Sequence, residues 1–263
     1  GIDSATVSIV VNGANDAPVV YAGLYSNYIN EGDSTFLYVS SFNDSDGSGP
    51  YTASVDWGDG TTDIISTTGG LDGSHQYVND GVYTVTVSVT DSAGATGISQ
   101  DTVYVSNLAP TSTNNTVNTL EDTPYVFNAS DFNFADIGAN DTLQQVRIDS
   151  IPQAGSLRLS GTLVSTGQIV SVANINAGNL RFYSVSNANG PGYAKFSFSV
   201  SDGLAFSALP SVMYINVTPV NDLPTGNVVV TGTVTEDQTL TANTASIADA
   251  EGLGAFSYQW LRN

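Results

Sequence analysis

Carboxylates and amides recur in phase with three prolines along this chain. Three segments run from a strand-like stretch into a proline: Asn15-Asp16-Ala17-Pro18, Asn107-Leu108-Ala109-Pro110 and Asn221-Asp222-Leu223-Pro224. Counting onward from each proline, Glu31, Glu121 and Glu236 fall at +13, +11 and +12. Asp44 and Asp46 follow at +26 and +28, Asp136 at +26, and Asp249 and Glu251 at +25 and +27. Counting back, Asp91 precedes Pro110 by 19 residues and Asp202 precedes Pro224 by 22. Several carboxylates gathered in one place repel one another unless a counter-charge joins them. With oxygen donors only, that counter-charge is a hard cation. Ca²⁺ accepts about 6–8 oxygens in irregular geometry and binds extracellular modules at roughly 10⁻⁴–10⁻³ M. The competing reading is that acids favour turns and solubilise surfaces.

The charge balance narrows the chemistry. The 263 residues carry 25 acids against five basic side chains, a formal net charge of −20, and residues 1–110 contain no Lys or Arg. Phosphate backbones and anionic membranes need clustered cations, so nucleic acid is excluded as a partner and anionic lipid is disfavoured. No cysteine is present, which removes disulfides and thiolate chemistry, and His75 is the sole histidine, so a His/Cys zinc site cannot be built. No apolar run approaches the ~18 residues that span a bilayer. The N-terminal residues lack the cationic and apolar regions of a signal peptide.

The elements that must position these acids read as strands. Residues 82–89 and 194–200 alternate apolar and small polar side chains with a period of two, and 101–105 and 212–217 read as strands apolar on both faces. Turn-forming Gly, Asn, Asp and Ser separate them, and no convincing amphipathic helix intervenes. The expected fold class is all-β, as tandem Ig-like β-sandwiches in an elongated array. The prolines are 92 and 114 residues apart, one sandwich each. The predicted division is 1–17 as the end of a preceding repeat with its linker, 18–110 and 111–223 as two whole sandwiches, and 224–263 as the opening of another. The chain is thus expected to be an excerpt of a longer array.

In such a sandwich the glutamate near +12 sits before strand B at one end, and the acids near +26 and those opening the FG turn sit at the other. Stacking successive domains through the proline linker then yields three junctions. Asn15, Asp16, Asp44, Asp46 and Asp91 form the first. Glu121, Asn221, Asp222, Asp249 and Glu251 form the third. The second, with Glu31, Asn107, Asp136 and Asp202, is the sparser, because Leu108 stands where the other linkers have Asp.

Residues 18–110 resemble a PKD domain through Val55-Asp56-Trp57-Gly58-Asp59-Gly60, His75-Gln76-Tyr77, Gly81-Val82-Tyr83-Thr84-Val85-Thr86-Val87 and Val89-Thr90-Asp91-Ser92-Ala93-Gly94. The resemblance implies a seven-stranded sandwich with Trp57 and Tyr83 in its core and His75 as a packed strand residue. Residues 111–222 look like a bacterial cadherin-like repeat, through Leu120-Glu121-Asp122-Thr123-Pro124, Phe198-Ser199-Val200-Ser201-Asp202-Gly203 and Val220-Asn221-Asp222-Leu223-Pro224. The opening stretch, Ser8 to Pro18, looks like the end of another such repeat, and 233–261 resembles the first strands of an Ig-like repeat. In cadherins the glutamate before strand B, an Asp-x-Asp loop and the Asn-Asp-x-Pro linker bind interdomain Ca²⁺. Here Phe134-Ala135-Asp136-Ile137-Gly138 departs from that pattern, having no Asp-x-Asp pair.

Mixtures of this kind are similar to the stalks of very large bacterial surface adhesins, which the resemblance makes extracellular, at the cell surface or secreted. The leading expectation is therefore a non-catalytic, Ca²⁺-stiffened extender whose first partners are neighbouring repeats of the same chain. The alternatives are a carbohydrate- or protein-binding accessory module of a secreted hydrolase and a homotypic surface-layer or filament component. Cell-surface glycans or proteins, or other copies of the chain, would be the partners. Tyr21, Tyr25, Tyr28 and Tyr38 are the candidates for a binding row, although strand packing accounts for them more simply. Catalysis is not expected: a nucleophilic triad would have to use His75, and the acids lie in turns at domain ends.

Overall fold

Period-two alternation dictates what the computed structural model contains: it describes residues 3–8, 13–47, 49–68 and 70–259, and its regular structure is almost wholly strand. The chain divides into two compact units. One comprises Gly1–Thr111 with Phe134–Leu143 and Ser201–Ala208; the other comprises Ser112–Asn133, Gln144–Val200 and Leu209–Asn263.

The first unit holds β1 (Val19–Leu24), β2 (Tyr28–Asn30), β3 (Ser34–Asn43), β4 (Thr52–Asp56), β5 (Thr62–Ile65), β6 (Ser74–Gln76), β7 (Gly81–Thr90) and β8 (Thr96–Ser106). They form a β1-β3-β6 sheet and a β2-β8-β7-β4-β5 sheet. That makes eight strands where seven were expected, because the opening segment changes sheet. β1 pairs antiparallel with β3, and β2 pairs parallel with β8. The crossing is fixed by Asp101, which accepts from Leu24 N (3.0 Å) and Asn27 Nδ2 (2.7 Å).

Val85, Val87 and Val89 of β7 are buried while the residues between them are not, as the alternation requires. Trp57 is fully buried, its indole N–H donating to Asp63 (2.8 Å). The second fully buried aromatic ring is Tyr77, whose hydroxyl donates to Trp57 O (2.7 Å). Tyr83, expected in the core, is half-buried: it stacks on Tyr77 and donates to the carbonyls of Asn79 and Asp80. The preceding turn depends on Gly58, whose φ of +82° and 2.6 Å approach of a would-be Cβ to Thr84 O leave no room for a side chain.

The second unit holds β9 (Asn115–Leu120), β10 (Tyr125–Val126), β11 (Gln145–Ile148), β12 (Ser156–Leu159), β13 (Thr162–Leu163), β14 (Ile169–Ser171), β15 (Leu180–Tyr183), β16 (Gly190–Ser201) and β17 (Ser211–Thr218). The sheets are β10-β15-β12-β13 and β14-β11-β16-β17-β9. Its core is aromatic, with Phe127 edge-on to Phe196 and Phe132 edge-on to Phe198. Its one α-helix among the described residues, α1 (Val172–Asn176), has five residues. Beyond it, β18 (Val229–Thr231) and β19 (Thr241–Asn243) form a two-stranded ribbon.

Residues 3–8 and 13–18 carry no strand. The heart of the expected opening strand, residues 9–12, and Trp260 lie outside the described residues. Among the described residues no helix is long and apolar enough to cross a membrane.

Candidate metal centre

The same local construction delivers a glutamate twice. β2 runs parallel to β8 with Asn30 opposite Ser106, so the next residue, Glu31, arrives beside the exit of β8. Its N–H donates to Ser106 O (3.0 Å), and its Oε1 accepts from Leu108 N (2.7 Å). In the second unit β9 runs parallel to β17 with Leu120 opposite Thr218. Glu121 N donates to Thr218 O (2.9 Å), and its Oε1 accepts from Val220 N (2.6 Å). Both glutamates are buried, at 1% and 2% exposure. A buried carboxylate costs free energy unless its oxygens are matched by donors or a cation.

The two differ in their second oxygen. Glu121 Oε2 accepts from Asn189 Nδ2 (2.9 Å) and is satisfied. Glu31 Oε2 is buried with no hydrogen-bond partner. It lies with carboxylate oxygens of Asp136 and Asp141, all within 4.8 Å of one another, the one such group of three among the described residues. Asp136 Oδ2, Asp141 Oδ2 and, in the same unit, Asn107 Oδ1 are buried without partners as well. Four acceptors in the same unit therefore lack a donor, which is rare in a native protein unless an ion or water completes them.

The electrostatics agree. Burial raises the Glu31 carboxyl above its usual range, the Leu108 N–H opposes this, and Asp141 and Asp136 push it further up. Burial likewise raises Asp136, with Asp141 and Asp202 adding to it against the Ile137 N–H. Two unit charges at such a separation repel by the order of 3 kcal/mol at an effective dielectric constant near 20.

Asp202 is held by its own turn and by the linker. Its Oδ1 accepts from Leu204 N and Ala205 N (2.7 and 2.8 Å), and its Oδ2 accepts from Asn107 Nδ2 (3.0 Å). It thereby fixes the Asn107 amide with the carbonyl oxygen left over. Asp91 repeats the arrangement: Oδ1 accepts from Ala93 N and Ala95 N, and Oδ2 from Asn15 Nδ2 (2.8 Å). The Asn15 bond, outweighing burial, holds the Asp91 carboxyl below its usual range.

The phase of the acids near +26 has a structural origin. Val19 pairs with Asn43, Thr111 bridges Ala135, and Thr225 bridges Ala248. Each pair ties the residue just after the proline to the one just before Asp44, Asp136 or Asp249. Around Asp44, Asp16 N donates to Asp46 Oδ2 (2.9 Å) and Tyr51 donates to Asp44 (3.0 Å). Around Asp249, Asp222 N donates to Glu251 Oε2 (2.9 Å), Glu251 N donates to Asp249 Oδ1 (3.1 Å), Asn221 donates to Asp222 O, and Asp222 Oδ2 is buried without a partner. These sets are connected, but neither contains three carboxylates within 4.8 Å among the described residues. The tightest group thus forms at the junction expected to be the sparser.

Asp141 was missed because it lies outside the phased positions, five residues after Asp136. The legible signal was its own loop: an acid pair separated by Gly138, where the other loops carry Asp46 and Glu251. His75 is a packed strand residue as expected, stacked on Trp57 (5.2 Å) and bonded to Asp59 (2.6 Å). The four tyrosines lie outside the buried core: Tyr21, Tyr25, Tyr28 and Tyr38 are 58–76% exposed.

The family model described as PKD domain matches residues 15–106. Among solved structures, the chain is similar to the PKD1 domain of Vibrio anguillarum Epp, at 28% identity over 36% of this chain and 100% of that one, with a TM-score of 0.29. It is similar to the PKD1 domain of the Vibrio cholerae metalloprotease PrtV, at 29% identity over 35% and 99%, TM-score 0.28. Human protocadherin-24 EC1-2 is matched at 18% identity over 77% and 98%, TM-score 0.34. No curated protein matches the chain. The first sandwich therefore carries a PKD-domain match, and domains of that type are typically extracellular and non-catalytic.

Proposed function

We propose that this chain is a non-catalytic extender segment of a large bacterial cell-surface or secreted adhesin, stiffened by Ca²⁺ at the ends of its sandwiches. The reading rests on the orphaned oxygens of Glu31, Asn107, Asp136 and Asp141. All are acceptors, three are carboxylate, and no cationic side chain is paired with them among the described residues. A hard divalent cation satisfies the three converging carboxylates and cancels their repulsion. Asp202 holds the Asn107 amide, and Leu108 N–H holds the second oxygen of Glu31. A bound ion therefore ties the exit of β8 to the loop containing Asp136 and Asp141. The sets around Asp16, Asp44, Asp46 and Asp91, and around Asp222, Asp249 and Glu251, are further candidate sites of the same chemistry. At tenfold excess over Kd each ion adds about 1.4 kcal/mol to the folded form.

The test is thermal unfolding with small-angle scattering, in EGTA and then in millimolar Ca²⁺. A higher melting temperature with a stiffer, longer particle supports the proposal. Identical behaviour in both would reduce the acids to surface charge.

A second reading, an accessory module that holds a glycan or protein, is favoured by the exposed tyrosines. Tyr25 packs edge-on to Tyr38 (6.0 Å) and Tyr28 stacks on Tyr104 (5.0 Å), outside the core. Replacing Tyr25 and Tyr38 by Ala and measuring polysaccharide pull-down tests it.

A further inference from the structure

The second unit contains a cavity of about 590 Å³ on the outer face of β16 and β17. Ala194, Phe196, Met213 and Ile215 point into the core, so Lys195 and Tyr214, paired in register, point outward into the cavity. Ser150, Ile151, Gln153 and Ala154 form its wall. That wall is pinned, because Ser150 Oγ bonds both the N–H and the hydroxyl of Ser197, at 2.8 Å each. A pocket of this size suits a ligand of two or three rings.

Lys195 is the unusual feature. The other described cationic side chains are all engaged. Arg147 pairs with Asp149 (2.6 Å), Arg158 lies over the Tyr183 ring and donates to Gly161 O, and Arg181 donates to Gly178 O. Lys195 has neither ion pair nor hydrogen bond among the described residues, in a chain with a five-fold excess of acids. A lone ammonium is a point charge suited to one carboxylate, whereas a phosphate cluster calls for several cations or a guanidinium fork. Beside it stand the half-exposed ring of Tyr214, Ile151 and the Gln153 amide. This combination offers an apolar face to a sugar ring and polar groups to its hydroxyls.

An acidic peptide fits less well. Peptides bind sheets chiefly by adding a strand at an edge. β17 is paired on both sides at Tyr214, with Lys195 of β16 and Thr116 of β9, so it offers no free edge beside the cavity. Recognition at Tyr214 therefore runs through its side chain. We infer that this cavity binds a uronic-acid-containing oligosaccharide, with its carboxylate on Lys195 and a sugar ring on Tyr214. This inference is independent of the cation reading.

The test is NMR titration of the whole chain with trigalacturonate, in EDTA so that calcium bridges play no part. Maltotriose and an Asp/Glu peptide serve as controls. The expected result is saturable shifts at Lys195 and Tyr214 below about 10 mM ligand, weakened about tenfold in Lys195→Gln and lost in Tyr214→Ala. Both side chains are exposed, so both variants should keep the wild-type melting temperature, which is measured alongside. Absence of shifts, equal binding by Lys195→Gln, or equal binding of maltotriose or the peptide would overturn the inference.

Discussion

The Asp141 carboxylate occupies the space that a side chain at position 138 would need. A Cβ on Gly138 would overlap Asp141 Oδ2 and lie 2.8 Å from Glu31 Oε2. Gly138 stands two residues after Asp136, as Asp46 stands after Asp44 and Glu251 after Asp249. The acid that the other two loops carry at that position is here supplied from three residues further on. The loop makes the exchange with a turn in which Asp141 N donates to Gly138 O (3.2 Å), and it is held by Asn140 N donating to Asn79 (3.1 Å).

Gly138→Ala should therefore damage the site without damaging the fold. The added methyl displaces Asp141 from Glu31, and Ca²⁺ affinity falls by about tenfold or more, near 1.4 kcal/mol. Isothermal titration calorimetry reads the loss. The melting temperature in EGTA should change little, because the displaced groups repel one another.

Asp141→Asn should act with opposite signs in the two conditions. Without a cation it removes one of three mutually repelling charges and raises stability by the order of 1 kcal/mol. With Ca²⁺ it removes a charged ligand, and the gain on adding the ion shrinks. Melting curves of wild type and variant in EGTA and in Ca²⁺ give all four values. A variant less stable than wild type in EGTA would contradict the repulsion argument.

Much of this was legible in the sequence, for definable reasons. Alternation in 82–89 and 194–200 located β7 and β16, because period-two burial is a local property. The phase of Asp44, Asp136 and Asp249 was legible because backbone pairing fixes each relative to its proline. Three features were not. Asp141 escaped because a loop can supply the same atom from a different register. The satisfied second oxygen of Glu121 depends on Asn189, 68 residues away. The split of the first strand into β1 and β2 rests on Asp101, 77 residues beyond Leu24.

Tyr77→Phe should cost more than Tyr83→Phe. Removing the Tyr77 hydroxyl leaves Trp57 O buried without its donor, a loss of about 1–3 kcal/mol. The Tyr83 hydroxyl is half-buried and donates to carbonyls near the surface, so its loss should stay near or below 1 kcal/mol. Urea unfolding of both variants ranks them.

Asp59 should give the first unit an acid-labile component. Burial raises its carboxyl, but the hydrogen bonds from Thr61 and His75 outweigh burial and hold it below the ordinary Asp value of about 3.9. A carboxyl lowered by folding adds stability above its unfolded pKa and loses it as pH falls through the lower folded one. Stability should thus decline below about pH 4, and Asp59→Asn should flatten that decline while costing stability at pH 7. Unfolding midpoints from pH 2 to 7 test it.

Hydrogen exchange separates the two buried glutamates. Leu108 N–H bonds Glu31, whose other oxygen faces Asp136 and Asp141, while Val220 N–H bonds Glu121, whose other oxygen is matched by Asn189. Removing a cation restores repulsion around Glu31 and leaves the oxygens of Glu121 satisfied. EGTA should therefore speed exchange at Leu108 by about tenfold and change Val220 far less, since each 1.4 kcal/mol of local opening is a factor of ten. Equal acceleration at both amides would mean that chelation loosens the chain generally and that the Glu31 group is not where the ion acts.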